Sequence, residues 1–178
     1  ILFNSIQEMY QHEMKIKKHK KVSHYTYGRY GSTTTIELEN ILKELEQAYH
    51  VFLTGTGFGG IALALMALCR PGDEILVSDN VYGPTKEISQ ELMKEFRVDA
   101  KFYNPDSLDD LKRKISHKTK MILVENPGSN TFEFQDLSQI VKVAKRKKIL
   151  TLLDNTWGTP LYLKPVSYTH LRAHETSR

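Results

Sequence analysis

Asp154, Tyr82 and the glycines between positions 55 and 60 have the types and settings that chemistry asks for, each placed where an apolar run gives way to polar sequence. The stretch 51–61 reads Val-Phe-Leu-Thr-Gly-Thr-Gly-Phe-Gly-Gly-Ile and continues as an apolar run to Cys69. As a strand, a glycine turn and a helix, it gathers free backbone N–H groups and a positive helix end at one spot. Phosphate is the usual occupant of such a spot. Gly55, Gly57 and Gly60 satisfy G-x-G-x-x-G, and Asp79 lies about twenty residues on, where the ribose carboxylate of a dinucleotide site belongs. That fingerprint normally opens its domain, however, and about fifty residues precede it here. A nicotinamide nucleotide explains the glycines and Asp79 and little else. Pyridoxal phosphate explains more. It is an electron sink while its pyridine nitrogen is protonated, which needs a carboxylate at the far edge of the ring. Asp154 ends the apolar run 149–153, Tyr82 offers an aromatic face, and Gly57 with Phe58 opens the helix that would hold the phosphate. Glu125 has the type of a general base at a strand end, but its place favours a structural role.

These residues need a scaffold, and the hydrophobic periodicity supplies one. Ser5 to Glu8 form a capping box opening a helix to about Lys18, with Ile6, Met9, Tyr10 and Met14 as its apolar stripe. The segment 25–33 reads as loop. Thr34 to Glu37 cap a second helix with Leu38, Ile41, Leu42, Leu45 and Tyr49 on one face. Strands are predicted over 51–54, 74–78, 100–103, 121–125 and 150–154, and helices over 57–69, 84–96, 108–115 and 137–147. Pro84 suits a first helical position, and Ser107 and Asp136 suit N-caps. Strand and helix alternating at this spacing imply an α/β fold with a parallel-dominated, doubly wound sheet, whose ligands lie beyond the carboxyl ends of the strands.

The composition narrows the class. Of 178 residues, 40% are hydrophobic and 26% charged, ordinary for a globular protein. No apolar run is long enough to span a membrane, and the single cysteine, Cys69, cannot make an internal disulfide, so a cytoplasmic location is expected. The net charge of +4 is concentrated at 15–21 and 145–148. Neither cluster carries interleaved aromatics for base stacking, so both read as solvated surface, and no nucleic-acid or membrane partner is expected. The histidines show no metal-ligand spacing, and no metal is expected.

Four motifs occur together: Asp-Asn-Thr-Trp at 154–157, Val-Tyr-Gly-Pro-Thr at 81–85, Tyr-Gly-Arg-Tyr at 27–30 and Glu-Asn-Pro-Gly-Ser at 125–129. Over residues 1–165 the chain resembles the Cys/Met-metabolism family of pyridoxal-phosphate enzymes. The resemblance implies the aspartate-aminotransferase-like architecture called fold type I, of which this chain holds part of the large domain. It implies pyridoxal 5'-phosphate as cofactor. Thr56, Gly57 and Phe58 would hold its phosphate, Asp154 would pair with the pyridine nitrogen, and Thr156 would lie near the ring. Tyr82 would stack on the ring and assist proton transfer. Tyr27, the second catalytic candidate, and Arg29 would reach the phosphate site of a neighbouring subunit, making the parent a homo-oligomer, a homotetramer, with shared active sites. Arg29 suits that task because its planar fork binds phosphate oxygens in pairs. The implied activity is carbon–sulfur lysis in transsulfuration and methionine biosynthesis. Within the family, Glu-x-Pro-Gly-Ser resembles the branch that eliminates at the β-carbon of cystathionine, whereas γ-type members show Glu-x-Pro-Thr-Asn-Pro. A non-catalytic binding or regulatory protein of the same fold is the alternative from another class.

The chain departs from the family in its cradle, Gly-Thr-Gly-Phe-Gly-Gly in place of Ser-Ser-Gly-Met-Ala-Ala, and in lacking the Ser-x-Thr-Lys motif with the Schiff-base lysine. Both ends read as cut, since the chain starts at Ile1 and the stretch 166–176 resembles the reading-frame translation of a transposase sequencing adapter. The expected organisation is a helix and arm toward the neighbouring subunit at 1–33, a partial cofactor-binding domain at 34–165 and an adapter-derived tail at 166–178 that plays no part in fold or function.

Overall fold

The apolar runs at 75–77 and 121–124 become the two central strands of a parallel sheet. In the computed structural model, residues 3–18 and 31–169 are described. In chain order they form α1 (Ile6–Lys18), α2 (Thr33–Glu46), α3 (Gly57–Leu68), β1 (Glu74–Ser78), α4 (Gly83–Glu87), a π-helical turn (Ile88–Leu92), α5 (Met93–Glu95) and β2 (Asp99–Tyr103). There follow α6 (Leu108–Lys114), β3 (Thr119–Glu125), α7 (Leu137–Lys147), β4 (Leu150–Asp154), and the short α8 (Thr159–Tyr162) and α9 (Val166–Thr169). The chain divides into two units, Ile1–Leu53 and Thr54–Arg178.

The second unit carries the sheet, with strands parallel in the order β2-β1-β3-β4. Side chains alternate across a strand, so β1 and β3 feed two cores. Ile75, Val77, Met121 and Leu123 pack with Ile61 and Leu65 of α3 and with Ile88 and Met93 on one face. Leu76, Ile122 and Val124 pack with Leu111 of α6 and Leu137, Ile140 and Ala144 of α7 on the other. Helices on both faces explain why these strands read as unbroken apolar runs rather than alternating ones. This is the α/β, doubly wound arrangement expected.

Most elements form where predicted, within a residue or two at their ends, and α7 matches its predicted span. The N-caps also hold: Ser107 accepts from Asp110 N–H and Asp136 from Gln139 N–H, both at 3.1 Å. Three expectations fail for local reasons. Residues 51–54 are not a strand. A three-residue apolar run has propensity only, and it finds no ladder partner among the described residues to pair its N–H and C=O groups. The cap of α2 is Ser32, two residues earlier than expected: Ser32 Oγ accepts from Thr35 N–H at 3.2 Å while Thr35 Oγ1 accepts from Ser32 N–H at 2.8 Å. The helix predicted over 84–96 widens into a π-turn at its centre, where the buried Ser89 hydroxyl donates to Thr85 O at 2.7 Å.

In the first unit, Ser5 caps α1 as expected, but the Glu8 carboxylate reaches back to Asn4 N–H at 2.9 Å. The apolar stripes of α1 and α2 face outward. Ile6, Tyr10, Leu38 and Ile41 are exposed, Ile36 is the buried hydrophobic of α2, and Tyr49, expected on the α2 face, lies exposed beyond the end of that helix at Glu46.

One ionic cluster ties α6 to β2. Asp110 accepts from Lys114 Nζ at 2.7 Å and from Asn104 N–H at 2.9 Å, and Lys114 also donates to Phe102 O at 2.6 Å. The Lys114 hydrogen bond, with that of Asn104, holds the Asp110 carboxyl down at about 2. A depressed carboxylate stabilises the fold above its unfolded value of about 3.9, and the contribution is lost as pH falls from there through about 2. Asp110→Asn is therefore expected to flatten the acid limb of a melting-temperature profile between about pH 4 and pH 2. A profile as steep as that of the parent chain would assign acid sensitivity elsewhere.

Candidate active site

The carboxyl ends of β1, β3 and β4 deliver Tyr82, Glu125 and Asp154 to neighbouring positions. Glu125 and Asp154 are register partners as the last residues of adjacent strands, and the ladder runs one step further through Asn126 N–H to Asp154 O at 3.3 Å. From the third strand end, Tyr82 N–H donates to Glu125 Oε2 at 2.7 Å. Tyr82 is the N-cap of α4, and its carbonyl accepts from Thr85 N–H at 2.9 Å and Lys86 N–H at 3.1 Å. Its backbone is thus anchored on both sides while its ring stays 48% exposed. A tyrosine held by its main chain presents a free face.

Asp154 is half-buried, and one carboxylate oxygen is committed. Oδ1 accepts from Thr156 N–H at 2.9 Å and from Thr156 Oγ1 at 2.5 Å. Oδ2 has no hydrogen-bond partner among the described residues. Thr156 therefore orients the carboxylate and leaves an acceptor lobe available.

At the start of α3, Thr56 is the N-cap, and its hydroxyl accepts from Gly59 N–H at 2.9 Å. Gly60 N–H returns to Thr56 O, so the amides of Gly57 and Phe58 remain without a partner among the described residues. A Cβ at Gly55 or Gly57 would meet nothing within 4 Å, whereas one at Gly59 would meet Thr56 Oγ1 at 3.0 Å and one at Gly60 would meet Thr54 Oγ1 at 3.3 Å. The open side of the turn is that of Gly55 and Gly57. Because α3 packs against α4, this open turn and the Tyr82 strand end belong to adjoining elements. Asp79 is taken by Lys86 in an ion pair of 2.6 Å, which removes it as a free sugar-binding acid.

Pyridoxal phosphate asks for three groups: unpaired amides for its phosphate, an aromatic face, and a carboxylate with a free oxygen for its ring nitrogen. Thr56–Phe58, Tyr82 and Asp154 supply them, so the residues present fit this cofactor. Tyr27 and Arg29 lie outside the described residues.

A buried polar network missed by sequence reasoning supports the strand ends. Gln135 Nε2 donates to Ser78 Oγ at 3.0 Å and to Glu125 O at 3.1 Å, its Oε1 accepts from Tyr103 OH at 2.9 Å, and its N–H donates to Asn126 Oδ1 at 2.7 Å. Burial pushes the Tyr103 phenol well above its ordinary range, so it is a permanent donor here. Asn80 O accepts from Ser129 N–H at 2.9 Å, and Gly128 packs so closely on Asn80 that a Cβ there would lie 2.9 Å from the Asn80 Cβ. Only a residue without a side chain fits. Trp157 meets Phe132 edge to face at 5.0 Å, fastening the same loop to the end of β4. A cavity of about 640 Å³ opens beyond this loop, lined by Pro127, Gln135, Leu137, Trp157 and Tyr162 among others, but by none of the cofactor candidates.

Burial raises the Glu125 carboxyl above its ordinary range, and Asp154 adds to the rise, while Tyr82 N–H and the Ser129 hydroxyl oppose it. No helix among the described residues is long and apolar enough to cross a membrane.

Known proteins similar to this chain include pyridoxal-phosphate enzymes. The family model for the Cys/Met metabolism PLP-dependent enzyme matches residues 4–170. A Saccharomyces cerevisiae protein, provisionally named a cystathionine beta-lyase, is 42% identical over 136 residues, covering 76% of this chain and 40% of the relative. A Campylobacter jejuni crystal structure, provisionally an O-acetylhomoserine (thiol)-lyase carrying a pyridoxyl-lysine phosphate, superposes with TM-score 0.81 at 25% identity, over 94% of this chain and 40% of that one. The cystathionine gamma-lyase of Lactobacillus plantarum, solved with L-serine, gives TM-score 0.77 at 26% identity, over 84% of this chain and 39% of that one. The chain thus spans about 40% of the length of the relatives it matches.

Proposed function

The chain belongs to the Cys/Met metabolism family of pyridoxal-phosphate-dependent enzymes, and on that premise we propose that it carries the cofactor-binding part of a lyase that cleaves cystathionine at the β-carbon. One molecule of cystathionine and one of water give homocysteine, pyruvate and ammonia. The α-proton leaves, the Cβ–S bond breaks with its electron pair going to sulfur, and the sulfur departs as homocysteine. Bound at this site, pyridoxal phosphate supplies the electron sink for the pair released at the α-carbon.

The residues of the chain hold and orient. The Gly57 and Phe58 amides take phosphate oxygens at the positive end of α3, with the Thr56 hydroxyl beside them. Tyr82 covers one ring face, and its hydroxyl assists proton transfer. Asp154, steadied by Thr156, keeps the ring nitrogen protonated. Tyr27 and Arg29 serve the phosphate site of a neighbouring subunit, so the working parent is a homo-oligomer in the cytoplasm. The observation that carries this reading is the free Asp154 oxygen at a strand end whose register partner, Glu125, holds the main chain of the exposed Tyr82.

Glu-Asn-Pro-Gly-Ser at 125–129 supports β- over γ-elimination through its resemblance to the β-eliminating branch of the family. The Lactobacillus plantarum neighbour keeps a γ-type reaction as the second reading. Product analysis separates them. The parent protein given cystathionine is expected to release pyruvate and homocysteine, whereas 2-oxobutyrate and cysteine would establish the γ-type reaction. The 178-residue chain alone contains no Ser-x-Thr-Lys and is expected to release neither keto acid. Pyruvate from the purified chain would overturn that assignment.

A further inference from the structure

We propose that Glu125 is the positioning residue for Tyr82, fixing through the main chain the tyrosine that covers the cofactor ring. The inference rests on the ring-stacking role assigned above to Tyr82. Glu125 is 4% exposed, yet its Oε2 reaches across from β3 to Tyr82 N–H at 2.7 Å. The remaining backbone bonds of Tyr82, from Thr85 and Lys86, are local to its own helix and set no position relative to the sheet. Among the described residues, the Glu125 carboxylate is the hydrogen bond that ties Tyr82 to a neighbouring strand.

The arrangement costs something that packing alone would not ask for. A buried carboxylate loses hydration, and here it also faces Asp154, its register partner on β4, across the ladder. An aliphatic side chain would fill the space without that cost but would leave the Tyr82 N–H unpaired. What the position requires is an acceptor of this reach. A charge-assisted acceptor also gives a shorter, more directional bond than a neutral one. The Glu125 carboxylate thereby sets the place of the Tyr82 main chain relative to the sheet.

The test uses the labelled 178-residue chain and pyridoxamine 5'-phosphate, a probe that forms no imine with lysines. In Glu125→Ala, hydrogen exchange at the Tyr82 amide should accelerate about tenfold or more, and affinity for the probe should fall by about the same factor. The amides of β1 should be unchanged, as should binding of inorganic phosphate, which is gripped at α3. Glu125→Gln keeps an acceptor of equal reach and should restore both the protection and the affinity to within about threefold of the unsubstituted chain. Should the alanine variant not fold, Glu125→Asp, which withdraws the carboxylate by one methylene, takes its place with the same expected losses. Unchanged Tyr82 exchange in the alanine or aspartate variant overturns the proposal, as does a glutamine variant as impaired as alanine. If the unsubstituted chain shows no affinity for pyridoxamine phosphate, the cofactor reading fails instead, and the exchange at Tyr82 still decides the role of Glu125.

Discussion

Replacing Asp154 with asparagine is expected to weaken pyridoxamine phosphate binding by the 178-residue chain about 30- to 100-fold, and to lower kcat/KM of the parent lyase by at least as much. Asparagine is nearly isosteric and can still accept from Thr156 N–H and Oγ1, the two donors that hold Oδ1 at 2.9 and 2.5 Å. The orientation of the side chain survives, and its charge does not. A protonated ring nitrogen then faces a neutral amide. Truncating one partner of a hydrogen-bonded charge pair costs about 2–5 kcal/mol, and the half-buried setting of Asp154 places this case at the lower end. Probe affinity by fluorescence titration and steady-state kinetics of the parent are the measurements. A loss below about fivefold would mean that the ring nitrogen is not held by this carboxylate. Thr156→Val supplies the complementary variant, since it removes the orienting hydroxyl and leaves the charge; its effect should be the smaller of the two.

The second large effect concerns the scaffold. Leu76→Ala should lower unfolding free energy by about 3–5 kcal/mol and the melting temperature by about 6–20 °C. Leu76 lies at the centre of β1, fully buried between β2 and β3 and packed beneath Leu111 and Leu137. Strands on both sides prevent the backbone from moving in to fill the void, so the cost belongs in the upper range for such truncations. Against a typical total of about 5–15 kcal/mol, that is a large share. Leu38→Ala on α2, where the side chain is exposed, is the control and should shift stability by no more than about 0.5 kcal/mol. Comparable losses from both substitutions in urea unfolding would disprove the two-core description of the sheet.

The two cases also separate what a sequence displays from what it conceals. β1 and β3 were readable because a strand covered on both faces is apolar at consecutive positions, and α7 because its stripe, N-cap and basic last turn agree. Asp154 was readable because it closes an apolar run at a strand end, and Tyr82 because it follows one in the loop that leads into the next helix. Residues 51–54 misled for the same reason, since an apolar run reports propensity and a strand exists only where a partner completes its ladder. Ser32 was passed over because Thr34 and Glu37 matched the commoner capping pattern, although a threonine hydroxyl closes the box equally well. Gln135 and Asn80 gave no signal at all. Gln135 bonds residues 57, 32, 10 and 9 positions away, and no local pattern encodes contacts whose partners are chosen by the fold.

The strand order β2-β1-β3-β4 has a kinetic corollary. Tyr82, Glu125 and Asp154 descend from three adjacent strands, of which β3 and β4 are each reached only after a helical crossover, and β4 enters the sheet last in sequence, at its edge. The entropy of closing those loops must be met before any of the three residues gains a neighbour. The carboxylate proposed to pair with the ring nitrogen therefore arrives with the final parallel pairing. On the cofactor reading proposed above, the site becomes able to read a pyridine ring only when the fourth strand has docked.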